Sequence, residues 1–426
     1  MVEMVKMDEK LVVVGQGYVG LPLAMRAIES GFVVVGLELD HRRLELLKQG
    51  KSYVEDISSE TVQAALSSGR YTPSDDASQC NSFDVAIITV PTPLRDGIPD
   101  LSFVERACVT LGPCLKRGSL VVLESTTYPG TTEDLVRPLL EKSSGYRAGP
   151  DFYLGYSPER IDPGNPSWLL QNTPKVIAGI DNSSLEAVKN FYLRIVDATV
   201  PVSSTRTAEL TKILENTFRH VNIALVNELA MFASDLGIDV WEAISAASTK
   251  PFGFMPFHPG PGVGGHCLPV DPSYLSWRVK QTLGTPFRFI ELANDINDHM
   301  PDYVVRRLIA GLNERKKPLN GSRVLVIGLS YKRNSGDARE SPARVICQRL
   351  MQYGAEVRAV DPYLDREDFP SGVVPSELVE EEVVASDAVL VVTDHDCLAW
   401  DLIARHSSYV LDTRHRLSRT NNVEPL

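Results

Sequence analysis

The 426-residue sequence lacks the features that send a chain into a membrane or out of the cell. No run approaches the roughly 20 apolar residues that a membrane-spanning helix needs. The first residues, MVEMVKMDEKLVVVG, include acids and pass directly into a strand-like run, without a basic segment or an apolar signal core. We therefore expect a cytoplasmic protein with no membrane partner.

Paired cysteines are also missing. The six cysteines are scattered, without a CxxC pair or a histidine at the spacing of a zinc site. Neither disulfides nor a metal ion are therefore expected. One thiol, Cys267, lies in the stretch GPGVGGHCLPVDP, four residues before Asp271. Because a free cysteine is usually a small buried hydrophobe, the residues alone leave both packing and a reactive nucleophile open.

An excess of basic residues is the third absence. Lysine and arginine number 43 against 55 acids, and the net charge of -12 argues against a nucleic-acid-binding protein. The hydrophobic fraction of 43% and the charged fraction of 23% are typical of a folded globular chain. At this length two or three domains are expected.

A dinucleotide-binding pattern opens the chain. The β-branched run KLVVV leads into glycines at 15, 17 and 20, then a helical stretch, then the run FVVVGLELD with Glu38 near its end. The glycines allow a tight turn and the approach of a pyrophosphate, and the acid binds ribose hydroxyls. A carboxylate at Glu38 would repel a 2′-phosphate, which favours NAD over NADP. Arg43 weakens this preference, since it could contact a phosphate or the adenine face.

Two further strand patterns, over 83–94 and 119–132, end in loops rich in threonine and proline. Ligands of doubly wound sheets bind at the carboxyl ends of strands, so these threonines are candidate cofactor neighbours. The alternative is that they only cap helices and turns. The predicted cofactor contacts from this half are Gly15, Gly17, Tyr18, Val19, Gly20, Glu38, Arg43, Thr89, Pro91, Thr92 and Thr126.

The segment 205–237 is periodic in apolar residues, nearly free of helix breakers and predicts one long helix. Lys212 and Asn216 stand four apart and share a face. Such a pair is usually solvated surface. The rest of the helix is apolar enough to pack against another domain or a second subunit.

A second strand–loop–helix–strand pattern begins at Arg323, with a helix over about 341–353 and a strand that ends at Asp361. It has no GxGxxG, and the basic loop residues Lys332 and Arg339 stand in its place. The fold class is therefore predicted as α/β, with two Rossmann-like doubly wound domains joined by a helical central domain that contains one long helix. The predicted domain bounds are 1–200, 201–316 and 317–426.

Seven motifs, in order, carry a family resemblance: GQGYVG, TVPTPL, ESTTYPGTT, YSPERIDPGN, LTKILENTF, GPGVGGHCLPVDP and GLSYKRNSGDARESP. The chain resembles the nucleotide-sugar 6-dehydrogenases, which act on UDP-glucose and UDP-N-acetylhexosamines, over essentially its whole length. The resemblance implies an NAD domain, a UDP-sugar domain and a helical domain that forms a homodimer. It also implies oxidation of a C6 hydroxyl to a carboxylate with two NAD in turn.

By motif position, the resemblance assigns the nucleophile to Cys267, its polar partners to Lys212 and Asp271, and thioester hydrolysis to Glu159. Thr126 would hold the water and Asn216 would contact substrate, while Arg339 would reach the cofactor. The implied substrate contacts are Glu159, Arg160, Lys212, Asn216, His258, Gly264, His266, Lys332 and Arg414.

The chemistry suits these residue types. A thiolate that adds to the C6 aldehyde retains it as a thiohemiacetal, and the second oxidation leaves a thioester for water to cleave. A lysine ammonium lowers a nearby thiol pKa and stabilises an oxyanion, and an aspartate can accept the alcohol proton. Glycines 262, 264 and 265 would let the loop approach the sugar.

Two departures favour the N-acetylhexosamine branch, within which UDP-N-acetylglucosamine is the expected substrate. Pro163 stands where glucose enzymes carry a second glutamate, and His266 precedes the cysteine where they tend to have serine. UDP- or TDP-glucose 6-dehydrogenase is the nearest alternative. A two-electron hydroxyacid dehydrogenase and a non-catalytic nucleotide-sugar binder are further ones.

Overall fold

Runs of β-branched residues form the strands of two separate sheets, one in each half of the chain. The computed structural model describes residues 9–54, 56–95, 97–161, 165, 167–265, 268 and 270–426. Pro163, His266 and Cys267 therefore lie outside the described residues. The chain divides into two compact units, of which unit 1 ends at Glu215 and unit 2 begins at Asn216. The predicted division into three domains stays a prediction.

Unit 1 contains an eight-stranded sheet in the order β10-β9-β8-β7-β4-β1-β2-β3, with β8 and β9 antiparallel and the other neighbours parallel. The short strands β5 and β6 pair separately. The strands are β1 (Lys10–Val14), β2 (Val33–Leu37), β3 (Tyr71–Ser74), β4 (Val85–Ile88), β5 (Leu94–Arg95), β6 (Ile98–Pro99), β7 (Leu120–Leu123), β8 (Tyr153–Tyr156), β9 (Lys175–Gly179) and β10 (Thr199–Pro201). The helices are α1 (Gly20–Glu29), α2 (His41–Lys48), α3 (Ser59–Ser67), α4 (Ser102–Leu111), α5 (Arg137–Ser144) and α6 (Asn182–Tyr192).

The continuous apolar runs become strands because both faces of the sheet are covered. Successive side chains point to opposite faces, so Val12 and Val14 pack in one cluster and Leu11 and Val13 in another. Since β1, β2, β4, β7 and β8 run parallel, the predicted ligand contacts of unit 1 that follow these strands lie along one edge of the sheet.

The predicted long helix is confirmed: α7 runs from Thr205 to Asp235. Its start is fixed in unit 1 by Glu209, whose carboxylate accepts hydrogen bonds from the amides of Gly130 (2.5 Å) and Thr132 (2.8 Å). Burial raises the pKa of Glu209 to about 7. The unit boundary falls within this helix.

Unit 2 contains a parallel six-stranded sheet in the order β13-β12-β11-β14-β15-β16. The strands are β11 (Arg323–Ile327), β12 (Glu356–Val360), β13 (Val374–Pro375), β14 (Ala388–Val391), β15 (Val410–Asp412) and β16 (Val423–Pro425). The helices are α8 (Val240–Ser248), α9 (Asp271–Leu283), α10 (Arg288–Glu314), α11 (Pro342–Gln352), α12 (Glu380–Ala385) and α13 (Trp400–His406). The helix expected over 341–353 is α11, and the Ser341 side chain caps it by accepting from the amide of Ala343. The predicted α/β class is confirmed.

The first turn of this second sheet repeats that of the first sheet. Gly328 follows β11 with a φ of 82° and donates to Val360 O, as Gly15 follows β1 with a φ of 90° and donates to Leu37 O. Asp361, directly after β12, accepts hydrogen bonds from the amides of Leu329 and Ser330 (2.8 and 2.9 Å). Only the first glycine of the motif is retained, which explains why the pattern could not be recognised as GxGxxG.

None of the helices in the described part of the chain combines the length and apolarity needed to cross a membrane.

Asp361 gives unit 2 a pH-dependent stability. Burial raises the pKa of this carboxyl, but its contacts with His395 and with the two backbone amides outweigh burial and lower the pKa to about 2. Because the folded pKa lies below the unfolded value of about 3.9, the stabilisation is present above that value and is lost as the pH falls toward 2. Between pH 6 and pH 3 the loss is about 1 kcal/mol.

We therefore predict that Asp361→Asn reduces the free energy of unfolding more at pH 6 than at pH 3, by about 1 kcal/mol. Urea unfolding followed by circular dichroism at both pH values measures the difference. Asp365→Asn, at an exposed position four residues along, is the control. An equal loss at both pH values for Asp361→Asn would contradict the prediction.

Candidate active site

In the glycine turn after β1, Gly15 and Gly20 pack too closely against other atoms to carry a side chain, and Gly17 does not. A Cβ at Gly15 would lie 2.9 Å from Thr89 O, and one at Gly20 would collide with Gly15 O. At Gly17 a Cβ would meet only the Arg43 guanidinium, at 3.9 Å. Tyr18 and Val19 complete the turn, and α1 begins at Gly20 without a side-chain cap. The backbone at Gly17 is thus the accessible part, as a dinucleotide phosphate at a helix N-terminus requires.

Glu38, the predicted ribose contact, lies beside the glycine turn. It is buried at the end of β2, and its two carboxylate oxygens accept hydrogen bonds from the amides of Gln16 (3.0 Å) and Asp40 (2.9 Å). These bonds fix a negative charge beside the glycine turn, where it disfavours a 2′-phosphate. Arg43 lies over the Tyr53 ring, 5.5 Å from its centre, and 4.0 Å from Asp40. Its charge is therefore partly offset by an acid outside the turn.

Gln16 holds this turn and was not predicted. Its side chain is buried, donates to Val13 O (2.9 Å) and accepts from the Tyr71 hydroxyl (2.7 Å). The Tyr53 hydroxyl donates to its carbonyl at 2.6 Å. A long amide side chain between two glycines was the available signal, but its partners come from residues 37 and 55 positions away.

The side-chain hydroxyls of Thr89 and Thr92 form hydrogen bonds with backbone carbonyls of the protein. The Thr89 hydroxyl lies 2.9 Å from both Val14 O and Gly15 O, so it braces the glycine turn. The Thr92 hydroxyl donates to Thr126 O at 2.9 Å, which joins the loops after β4 and β7. These hydroxyl contacts show that Thr89 supports the turn, and they do not test its predicted contact with the cofactor. Pro91 is exposed in the same loop, and the cofactor contacts stay predictions.

A buried ionic cluster lies after the carboxyl ends of β7 and β8 and at the first residue of β9. Lys175 forms ion pairs with Glu124, at short distance, and with Glu159 (3.8 Å). The Tyr192 hydroxyl donates to Glu124 at 2.8 Å. Only Glu159 of these four was predicted, because an acid after one strand and a lysine at the start of another give no sequence signal of their contact.

Arg160, beside Glu159, turns to other partners. Its guanidinium forms an ion pair with Glu215 on α7 and donates to Pro174 O at 2.7 Å. These contacts attach the loop after β8 to α7. The predicted substrate contact of Arg160 stays a prediction.

Lys212 and Asn216 are both buried on α7, so the alternative of a solvated surface pair is wrong. The Asn216 amide donates to Asp271 at 2.6 Å. Asp271 is itself buried and begins α9, four residues after Cys267 in the chain. Two of the predicted catalytic residues are therefore in direct contact.

The glycines of the loop 262–265 approach protein groups. A Cβ at Gly264 would lie 2.7 Å from Tyr331 and 2.9 Å from Glu340 O, and one at Gly265 would lie 2.8 Å from the Tyr331 ring. The Gly265 amide donates to Arg339 O at 3.2 Å. The loop therefore needs glycine because the β11–α11 loop packs over it. Any approach of the sugar is an additional requirement.

Lys332 and Arg339 lie in that β11–α11 loop. The Arg339 guanidinium forms two hydrogen bonds with Asp337, at 2.8 and 2.5 Å. This pair fixes the arginine within unit 2. The predicted contacts of Lys332 with substrate and of Arg339 with cofactor stay predictions.

A cavity of about 360 Å³ in unit 2 is lined by Trp241, His258, Pro259, Arg414 and His415. The Trp241 ring stacks on His258 (5.6 Å between ring centres) and on His415 (4.8 Å). The buried indole N–H has no hydrogen-bond partner among the described residues. Arg414 is held by a hydrogen bond from Nε to Val392 O (2.7 Å). Two predicted substrate residues, His258 and Arg414, thus share one cavity with aromatic walls.

Three profiles of one family match the chain in order. The NAD binding domain of the UDP-glucose/GDP-mannose dehydrogenase family matches residues 9–196, its central domain 206–299 and its UDP binding domain 325–419. The chain belongs to this family. It is therefore an NAD-dependent nucleotide-sugar 6-dehydrogenase, an oxidoreductase with NAD as cofactor, and the resemblance drawn from its motifs is confirmed.

Individual relatives of this family member are similar over most of their length. The UDP-N-acetyl-D-glucosamine 6-dehydrogenase of Pseudomonas aeruginosa is 40% identical over 85% of this chain and 84% of its own. The UDP-N-acetyl-D-mannosamine dehydrogenase of Pyrococcus horikoshii is 35% identical over 95% of each chain. A solved structure of the UDP-D-ManNAc dehydrogenase from Pyrococcus horikoshii has a TM-score of 0.89 and covers 98% of each chain at 33% identity.

We predict that Glu38→Gln weakens NAD binding about tenfold and narrows its preference over NADP. The amide keeps the size of the side chain but removes the charge that disfavours a 2′-phosphate. Dissociation constants for NAD and NADP from titration calorimetry measure both effects. Glu45→Gln, on the exposed face of α2, is the control. Unchanged constants for Glu38→Gln would contradict the placement of the ribose.

Proposed function

We propose that this dehydrogenase oxidises the C6 hydroxyl of a UDP-N-acetylhexosamine, UDP-N-acetylglucosamine first, to the uronic acid through a covalent intermediate on Cys267. The observation that carries the proposal is the buried hydrogen bond between Asn216 and Asp271. It fixes a carboxylate at the start of α9, four residues after Cys267 in the sequence. The relative from Pseudomonas aeruginosa supports the choice of sugar. UDP- or TDP-glucose 6-dehydrogenation is the alternative, and family membership disfavours the hydroxyacid and non-catalytic alternatives.

Each proposed catalytic residue has one task in this scheme. NAD bound at the glycine turn would supply the hydride acceptor, with one NAD molecule consumed in each of the two oxidations. Asp271 accepts the alcohol proton, and Cys267 holds C6 first as a thiohemiacetal and then as a thioester. The Lys212 ammonium stabilises the oxyanion at C6. Buried surroundings strengthen such charge interactions, and Lys212 and Asp271 are both buried.

Hydrolysis of the thioester falls to Glu159, with Thr126 holding the water and Asn216 contacting the substrate. One carboxylate oxygen of Glu159, the buried Oε2, accepts no hydrogen bond within the described residues. A carboxylate oxygen in that state is suited to take a proton from water.

Unit 2 would hold the nucleotide. The cavity around Trp241 combines aromatic walls and the Arg414 guanidinium, which together suit a flat base and an anion. We assign His258, Arg414 and Lys332 to the nucleotide, and His266 and Gly264 to the sugar. The corresponding domains are 1–200 for NAD, 201–316 for the helical centre and 317–426 for UDP. We place the reaction in the cytoplasm, where NAD and nucleotide sugars are made.

We further propose a homodimer through α7. Its exposed apolar residues Leu214, Phe218, Leu225, Leu229 and Phe232 are between 47% and 63% exposed. Their spacings of 4, 7, 4 and 3 residues place them on one face of the helix. An apolar stripe along about five helical turns is typical of an interface between subunits.

The four-electron reaction predicts two NADH per sugar consumed. Nucleotide sugars tested in parallel, UDP-N-acetylglucosamine, UDP-N-acetylmannosamine, UDP-glucose and TDP-glucose, should identify the substrate by NADH absorbance. Cys267→Ser should lower turnover at least about 1000-fold, because an alcohol is a far weaker nucleophile than a thiolate. Cys397→Ser, at an exposed cysteine, should leave turnover unchanged. One NADH per sugar, or full activity of Cys267→Ser, would refute the mechanism.

For the dimer, Phe232→Glu should yield monomers, since it places a charge within the apolar stripe of α7. Sedimentation velocity at micromolar concentration measures the change. Val109→Glu is the matched control, because Val109 is similarly exposed (54%) on α4, away from α7 in the sequence. A Phe232→Glu protein that sediments like the parent chain would exclude α7 as the interface.

A further inference from the structure

The ionic cluster in unit 1 contains more groups than the proposed reaction uses. Glu124 follows β7, Lys175 begins β9, Tyr192 ends α6 and Glu159 lies three residues after β8. All four are buried, with Lys175 2% and Glu159 9% exposed. Burying ions is costly unless each is paired. A cluster of two carboxylates and one ammonium therefore calls for an explanation.

Lys175 is the shared partner of the two acids. Its ammonium contacts Glu124, lies 3.8 Å from Glu159 Oε2, and stands 5.3 Å over the ring of Tyr192. Within the described residues no other cation lies within 4.0 Å of either carboxylate. Removing the ammonium would leave two buried negative charges facing each other. The position of Glu159 therefore depends on Lys175.

Glu124 and Tyr192 hold the lysine in turn. Burial raises the pKa of Tyr192, and the Glu124 carboxylate raises it further, so the phenol stays a neutral donor. Its hydroxyl binds Glu124 Oε2, while Lys175 binds Oε1. The ammonium thus has one strong contact with Glu124 and a longer one with Glu159.

The two oxygens of Glu159 are treated differently. Oε1 accepts a hydrogen bond from the backbone amide of Ile161, which fixes the carboxylate to its own loop. Oε2 faces Lys175 at a distance too long for a hydrogen bond and accepts none from the described residues. The ammonium attracts this oxygen without occupying its lone pairs.

We propose that Lys175 is a positioning residue for thioester hydrolysis, acting through Glu159. This inference rests on the proposed function. In the step, the water oxygen bonds to C6, its proton passes to Glu159, the C6–Sγ bond breaks and Cys267 leaves as a thiolate. No electron is transferred. Lys175 holds Glu159 in the orientation that accepts the proton and does not touch the reacting atoms.

The test separates hydrolysis from the two oxidations. With the nucleotide sugar that the parent chain oxidises, Lys175→Met should form two NADH per active site in a burst as fast as the parent chain. Steady-state turnover should then fall about 30-fold, part of the roughly 10²–10⁴-fold that a positioned base contributes. Intact mass spectrometry of quenched samples should show a uronyl adduct that is absent from Cys267→Ser.

Two variants calibrate this result. Lys175→Arg keeps the cation and should restore most of the turnover. Glu159→Gln should accumulate the same adduct as Lys175→Met, because it removes the base itself. If Glu159→Gln accumulates no adduct, the proposed role of Glu159 fails. If Glu159→Gln accumulates it and Lys175→Met slows the burst and the turnover equally, only the role of Lys175 is overturned.

If Lys175→Met does not fold, Tyr192→Phe takes its place, since it deletes one hydroxyl and keeps the ring over the lysine. Steady-state turnover should then fall about threefold while the rate of the NADH burst stays unchanged. The reason is that Glu124 loses the hydrogen bond from the Tyr192 hydroxyl and holds Lys175 differently. An equal fall in both rates would mean that the cluster is only structural and would overturn the proposal.

Discussion

The need to satisfy backbone amides at the end of a buried strand organises both halves of this molecule. A parallel sheet covered on both faces leaves the amides of the first turn without sheet partners. In unit 1 the carboxylate of Glu38 binds the Gln16 amide, and in unit 2 that of Asp361 binds the amides of Leu329 and Ser330. In each unit the acid follows the second strand of the motif. The same solution thus serves two different turns.

The two turns differ in what they leave open. Thr89 in unit 1 and Thr393 in unit 2 each donate a hydroxyl to a carbonyl of their turn, Gly15 O and Ser330 O respectively. In unit 1 the open backbone at Gly17 leads into α1, which suits a dinucleotide phosphate. In unit 2 the corresponding loop extends to Ser341 before α11 begins, and it packs over the glycines of the loop 262–265. The two turns therefore share one scaffold and differ in the length of the loop that follows the first strand.

Much of the fold could be predicted, because its signals are local. The glycine spacing, the long apolar period of α7 and the strand–helix alternation from Arg323 are each contained within about 40 residues, and each prediction was confirmed. Residue roles were harder. Lys212 and Asn216 carry ordinary surface side chains, and nothing in their spacing shows that both are buried. Lys175 begins an apolar strand, and no feature of the nearby sequence predicts its contact with Glu124, which lies 51 residues away.

The sequence by itself determined which segments become strands and helices, that NAD is the cofactor, and which family the chain belongs to, because turn chemistry and hydrophobic period act over short distances. Tertiary structure decided which polar residues are brought together: Gln16 with Tyr71, Asn216 with Asp271, and Lys175 with two carboxylates. Those pairings depend on strand order and on the burial that makes an unpaired charge costly. Neither the strand order nor the burial of a residue can be derived from a local sequence pattern.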